Sequence, residues 1–137
     1  KSLPKAGPLP GEIALAVVGA HMSGRSLNQE LTLSGERFLF EGKTAPEYRF
    51  YALAGGPPSR PGMVRTENGE RIPLEVWALP TESFGAFVDN IPQPLVIGTV
   101  NLEDGSRIKG FLCESAGLED AKDITSYGGW RNYLEQV

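Results

Sequence analysis

The chain has 137 residues, enough to bury about two thirds of its unfolded surface in a single core without staples. Its 40% hydrophobic and 22% charged residues place it among ordinary globular domains, neither disordered nor membrane-spanning in composition. A formal charge of -4 and a pI near 5.0 argue against a nucleic-acid or anionic-membrane surface, because phosphate binding needs clustered Lys and Arg; a small molecule or a protein is the expected partner.

In chain order, Lys1 to Gly11 holds Pro4, Pro8 and Pro10 with Gly7 and Gly11, a composition that sustains neither a helix nor a central strand. Residues 1–11 are therefore read as a linker or loose arm, and 12–137 as one domain. The absence of a starting methionine suggests a piece of something longer. Ile13 to Val18 is apolar at nearly every position, the pattern of a strand covered on both faces, and it predicts a central strand. It runs into a Gly-containing loop, Gly19-Ala20-His21-Met22-Ser23-Gly24, which carries the chain's only histidine. Asn28 is a good N-cap for a short helix over Gln29 to Leu33, which Gly35 would end.

Phe38 to Glu41 and Tyr48 to Leu53 read as strands joined by a turn over Gly42 to Pro46. Gly55 to Gly62 is too rich in Gly and Pro for regular structure and predicts a surface loop. Met63 to Thr66 and Ile72 to Leu79 predict a hairpin around Asn68-Gly69. Thr81 is positioned to cap a helix in which Phe84, Phe87, Val88 and Ile91 fall at helical spacing, stopped by Pro92 and Pro94. Val96 to Leu102 and Ile108 to Glu114 predict a second hairpin around Asp104-Gly105. Asp120 to Thr125 reads as a polar connection, and Tyr127 to Leu134 as a short aromatic helix. The sum is an α+β fold of about six strands and two or three short helices, mostly antiparallel, in a sheet that could close into a barrel.

Several chemistries lack their residues. One histidine and one cysteine, Cys113, cannot build a zinc site of the usual kind or an intrachain disulfide. Cys113 lies in an apolar run and reads as a buried small hydrophobe in a reducing compartment. No Gly-x-Ser-x-Gly elbow occurs, and Gly19 to Gly24 has neither the spacing nor the ending of a nucleotide-binding loop. The longest apolar run, Ile13 to Ala20, is far too short to cross a bilayer, and no export signal is seen. The expected location is the cytoplasm.

A set of blocks nevertheless resembles a family. Leu15 to Gly24 with Leu27-Asn28, Thr44-Ala45-Pro46, Tyr48 to Leu53 and Gly56 to Gly62 are similar, in the same order, to the C-terminal domain of allophanate hydrolase. So are Glu75 to Pro80, Phe84 to Val88, Ile91 to Leu95, Ile97 to Val100, Asp104-Gly105-Ser106, Lys109 to Glu114, Asp123-Ile124-Thr125 and Tyr127 to Arg131. The resemblance covers roughly residues 12 to 134. It implies a fold similar to gamma-glutamylcyclotransferases, a small mixed, mostly antiparallel β-barrel flanked by helices, with a cavity beside the loop after the first strand. It also implies a place in urea-derived allophanate breakdown, in which a separate amidase domain acts first. This chain lacks an amidase signature, and the resemblance implies that it takes the first product, N-carboxycarbamate, and removes carbon dioxide from it, or acts on a related small dicarboxylate or amide. The reading is thus an enzyme, with an amidase domain or subunit as possible partner and a homo-oligomer as a further possibility. No cofactor is implied.

The resemblance suggests roles that the residues can support chemically. His21, with an ordinary pKa of about 6.5, can deliver a proton near neutral pH. Backbone N–H groups from Gly19 and Ala20 to His21 could form an anion-binding concavity. Arg25 and Arg60 could each hold carboxylate oxygens two at a time, and Lys109 could add a point charge. Asn28 is a cap first and a ligand contact second. Tyr48 and Tyr51 flank Phe50 on a strand with one core face, and the other face could line the cavity. Each has a plainer reading as a structural or solvated group.

Two rival functions remain at this point. Trp130, Tyr133 and Leu134 on one helical face would suit a non-catalytic module that assembles with an amidase or with itself. A cyclotransferase activity is disfavoured, because those enzymes resemble this chain in fold but carry Tyr-Gly where Val18-Gly19 stands. Their catalytic Glu after the later helix has only Asp89 as a displaced substitute.

Overall fold

The apolar run near the start of the chain becomes the middle of the main sheet. In the computed structural model, which describes residues 6–19, 22, 36–55 and 59–136, β1 (Glu12–Val17) pairs antiparallel with β5 (Pro73–Pro80) and parallel with β7 (Arg107–Cys113). Leu15, Ala16 and Val17 are buried almost completely, as a strand covered on both faces must be. Each of the larger two gains roughly 1.5–3 kcal/mol from leaving water. β2 (Arg37–Lys43) flanks β5 and β6 (Leu95–Asn101) flanks β7, giving the order β2-β5-β1-β7-β6. A second sheet has the order β4-β3-β8, from β3 (Tyr48–Ala52), β4 (Pro61–Arg65) and the two-residue β8 (Lys122–Asp123). Tyr48, Phe50 and Met63 of this sheet share one core with Ala16, Val76 and Val100 of the first.

Two α-helices are described, α1 (Thr81–Asp89) and α2 (Trp130–Glu135), with 3₁₀ turns at Ser115–Leu118 and Thr125–Tyr127. α1 buries Phe87 edge-on against Phe111 of β7. α2 inserts Trp130 against Phe50, so the aromatic residue expected to suit an external partner is used inside this chain. The helix predicted after Asn28 lies outside the described residues.

The mixed, mostly antiparallel α+β architecture matches the reading of the sequence, but the closed barrel does not. Among the described residues the two edges of the main sheet, β2 and β6, meet where Thr44 and Leu102 form an isolated bridge, with Ala45 N–H donating to Asn101 O at 2.9 Å and Glu103 N–H to Lys43 O at 3.1 Å. By register, Thr44 follows the end of β2 that lies beside the start of β5, whereas Leu102 follows the opposite end of the sheet at β6. Twist therefore brings two diagonal corners together and leaves the rest of both edges open.

One predicted hairpin is also corrected. β4 and β5 belong to different sheets, and β4 pairs with β3. The Asn68-Gly69 turn instead folds onto the start of β3: Glu70 N–H donates to Tyr48 O at 2.8 Å, and a Cβ at Gly69 would overlap the backbone of Glu47 and Tyr48. Thr81 is the first helical residue of α1 rather than its cap, which is Pro80. The β6–β7 hairpin is as expected, with Gly105 at φ +90° and Ser106 N–H donating to Asp104 Oδ1 at 2.9 Å.

Candidate functional site

The parallel pairing of β1 and β7 has a direct consequence: both strands deliver the segments that follow them to the same end of the sheet. Val18 and Gly19 leave β1 there, and residues 114–119 leave β7. β6 starts at this end too, since Leu95 pairs with Cys113. The end beyond the carboxyl termini of parallel strands is where such folds most readily hold ligands.

β4 begins at the same place. Gly19 is packed so closely on Pro61 that a Cβ there would overlap the ring carbons Cδ and Cγ, and glycine is required by space alone. Met22 N–H donates to Gly19 O at 2.9 Å, and Met22 is buried. Arg60, next to Pro61 in the chain, closes the β3–β4 loop by accepting Leu53 N–H at 3.0 Å. Its half-buried side chain lines a cleft of about 850 Å³ together with Leu53, Pro94, Leu95, Glu114 and Glu119. The cleft thus has a guanidinium that can grip a carboxylate at two points and carboxylates that would repel an anion. An anionic ligand must sit at the Arg60 side.

Two of the residues expected in a site, Gly19 and Arg60, are therefore brought to one end of the molecule. Tyr48 is fully buried, and its hydroxyl accepts Asn101 N–H at 2.9 Å. Lys109 is exposed on β7, where its Nζ donates to Thr99 Oγ1 at 3.1 Å. Asp89 is exposed at the end of α1. Ala20, His21, Arg25 and Asn28 lie outside the described residues. Cys113 is buried, its thiol donates to Glu114 O at 3.2 Å, and burial foremost, then the Glu114 charge, pushes its pKa up, which makes it a poor nucleophile. Among the described residues no group of three His, Cys, Asp or Glu could hold a metal ion, and no helix is long and apolar enough to cross a membrane.

The sequence reading missed a charged pair at this end. Glu75 on β5 stands opposite Val17, the last residue of β1, and its side chain is only 1% exposed. Its Oε1 accepts Trp77 Nε1–H at 3.0 Å, and its Oε2 accepts Arg131 Nη2–H of α2 at 2.8 Å. Burying a carboxylate costs several kcal/mol unless it is paired and hydrogen-bonded, and here both oxygens are met. The available signal was a lone carboxylate inside the otherwise apolar run Leu74 to Leu79.

A coiled mixed sheet whose parallel central pair sends two segments to one end places the chain in the class of folds that includes gamma-glutamyl cyclotransferase. A solved structure of that enzyme superposes with a TM-score of 0.53 at 10% identity, over 82% of this chain and 69% of its own, a likeness of fold alone. The family is narrower: residues 13–135 match the allophanate hydrolase C-terminal domain, and the chain belongs to that family. It is 45% identical over 130 residues to urea amidolyase of Saccharomyces cerevisiae, covering 91% of this chain and 7% of that protein. The crystal structure of the K. lactis urea amidolyase superposes with a TM-score of 0.88 at 40% identity, over 90% of this chain and 8% of that chain. The chain thus spans less than a tenth of these relatives. A solved uropathogenic E. coli-specific protein matches with a TM-score of 0.85 at 35% identity over 92% of this chain and 98% of its own.

Proposed function

We propose that this chain performs the second step of allophanate breakdown in urea degradation, releasing carbon dioxide from N-carboxycarbamate in the cytoplasm after an amidase domain or subunit has produced that compound. The observation that carries the reading is the packing of Gly19 on Pro61. It sets Gly19, two residues before His21 in the chain, against Pro61, the neighbour of Arg60, at the end where the parallel strands finish.

N-carboxycarbamate carries two carboxylates on one nitrogen. When one N–C bond breaks, its electron pair stays on nitrogen, a proton joins that nitrogen, and carbon dioxide and carbamate leave. The reaction needs an acid near the nitrogen and donors for a dianion. His21 is assigned as the acid, since its ordinary pKa lies close to neutral pH. Arg60 is assigned to one carboxylate, gripped at two points, and the backbone N–H groups of Gly19, Ala20 and His21 are assigned to the other oxygens.

A coupled assay tests this. Allophanate is supplied to an isolated amidase domain, and carbon dioxide release is followed with and without this chain. The chain is expected to accelerate release, and His21→Ala to lose roughly 10²-fold or more of that acceleration. Release at the same rate with or without the chain would reject the reading.

A further inference from the structure

Three pieces of backbone wall the cleft beside Arg60, and each is held by its own hydrogen bonds. Leu53 N–H donates to Arg60 O at 3.0 Å between β3 and β4, Leu95 N–H to Pro92 O at 3.0 Å in the turn before β6, and Gly117 N–H to Glu114 O at 2.9 Å in the 3₁₀ turn after β7. Glu114 N–H ties the third wall to the second by donating to Pro94 O at 2.9 Å. The walls meet on the Cys113 thiol. A Cβ at Gly62 of β4 would overlap Cys113 and Leu53 Cδ2, and a Cβ at Gly117 would overlap Cys113 Sγ and Pro94; glycine at both places lets the backbone close onto one sulfur. A hollow of about 850 Å³ built in this way is formed before any ligand arrives, so binding there need not order the lining first.

The charges on those walls are unpaired. Half-buried Arg60 stands on one, and exposed Glu114 and Glu119 stand on another. None of the three forms an ion pair or a side-chain hydrogen bond with any described residue. Opposite charges that share a cleft without meeting leave a field across it, and the apolar side chains of Leu53, Pro94 and Leu95 in the same lining strengthen that field. The anion role given to Arg60 above accounts for the positive wall alone. Two carboxylates elsewhere in the lining oppose a ligand that is anionic throughout, and they complement a cation.

We propose that this cleft binds a small zwitterion, with a carboxylate on Arg60 and a primary ammonium, at the far end of a short apolar chain, received by Glu114 and Glu119. The volume holds such a molecule with room for solvent, since a water takes roughly 30 Å³. The inference goes beyond the reaction proposed above, shares only Arg60 with it, and uses no residue of the loop after β1.

The test titrates isotope-labelled protein at low salt with ω-amino acids of three to six carbons, each set against the monocarboxylate that has methyl in place of ammonium. One amino acid is expected to bind about five- to tenfold tighter than its methyl counterpart, to shift the amide signals of Gly55, Leu95 and Gly117, and to lose that preference as salt is raised. Glu114→Gln combined with Glu119→Gln changes two exposed positions and is expected to bring the preference below twofold while leaving the methyl compound unaffected; Arg60→Gln is expected to weaken both. The side-chain carboxyl carbons of Glu114 and Glu119 give a reading that needs no variant: in the parent protein they are expected to shift with the amino acid and not with its counterpart. A preference under twofold at every length, a preference that survives the double substitution, or carboxyl carbons that ignore the amino acid would each overturn the inference. Malonate bound by a protein that binds no ω-amino acid would overturn it too and leave the dianion reading standing. An ω-amino acid bound by a protein that accelerates no release of carbon dioxide would reject the reaction and leave this site.

Discussion

The main sheet has a Glu–Arg pair at each end, and the two differ in where the carboxylate lies. At the end where β1 starts, Glu12 meets Arg37 of β2 at 2.7 Å, with 15% and 41% of their side-chain surfaces exposed. At the end where β1 finishes, Glu75 meets Arg131 at 2.8 Å with its carboxylate sealed. Nearly equal distances therefore carry different energies: both arginines are partly solvated, but the Glu12 carboxylate is reached by water and salt and the Glu75 carboxylate is not. The first pair ties down the segment before β1, since Leu9 N–H donates to Glu12 Oε1 and Arg37 Nη2 to Gly7 O. The second ties α2 to the sheet at the end where β1 finishes, since Glu75 stands opposite Val17.

Removing one arginine from each pair separates the two ends. Arg131→Ala leaves Glu75 buried without its cation and is expected to cost about 3 kcal/mol, at the low end for broken buried pairs because Arg131 itself is partly solvated. Arg37→Ala is expected to cost clearly less by urea unfolding at neutral pH, because that pair is partly solvated on both sides. Equal losses would mean that burial does not separate the two pairs. Gly19→Ala probes the same functional end by crowding: the added methyl meets Pro61, and overpacking of this kind costs about 1–3 kcal/mol. It should also weaken dicarboxylate binding by shifting the loop from Arg60. Unaltered stability and affinity would show that this contact does not couple the two loops.

The smallest effect sharpens the contrast by pH. Glu12 has its pKa lowered from 4.5 to about 2, first by the Arg37 hydrogen bond and then by the Leu9 N–H. A carboxyl depressed in the folded state contributes stability that is complete above its unfolded value and fades as pH falls towards about 2. Carbon-detected titration should place the Glu12 midpoint near 2 in the parent and nearer 4.5 in Arg37→Ala. The same midpoint in both would remove Arg37 as the cause.

Local signals were readable in the sequence, and distant pairings were not. The β6–β7 hairpin was legible because Asp104 and Gly105 shape their own turn. β1 was legible because its apolar run admits few other structures. Asn68-Gly69 carried the same kind of turn signal, but its flanking segments found partners in different sheets, a choice made by the whole core. β8 is only Lys122 and Asp123, polar and exposed, and exists through pairing with β3 and the Arg49–Asp123 contact at 2.9 Å; no periodicity could reveal it. The barrel was over-read because edge closure depends on sheet twist, which composition does not encode. Gly19 and Arg60 were singled out through the family blocks, and the structure sets them at one end of the sheet. The Glu75–Arg131 pair was not singled out, since a charged residue in a strand reads as solvated until its partner across the fold is known.

The central claim is that the segment leaving β1 and the Arg60 loop form one site for a small dianion. A crystal structure of the protein with malonate tests it most directly. Malonate bound beside Gly19 with a carboxylate on Arg60 is the predicted result; malonate bound only elsewhere, with that end of the sheet empty at saturating concentration, would contradict it.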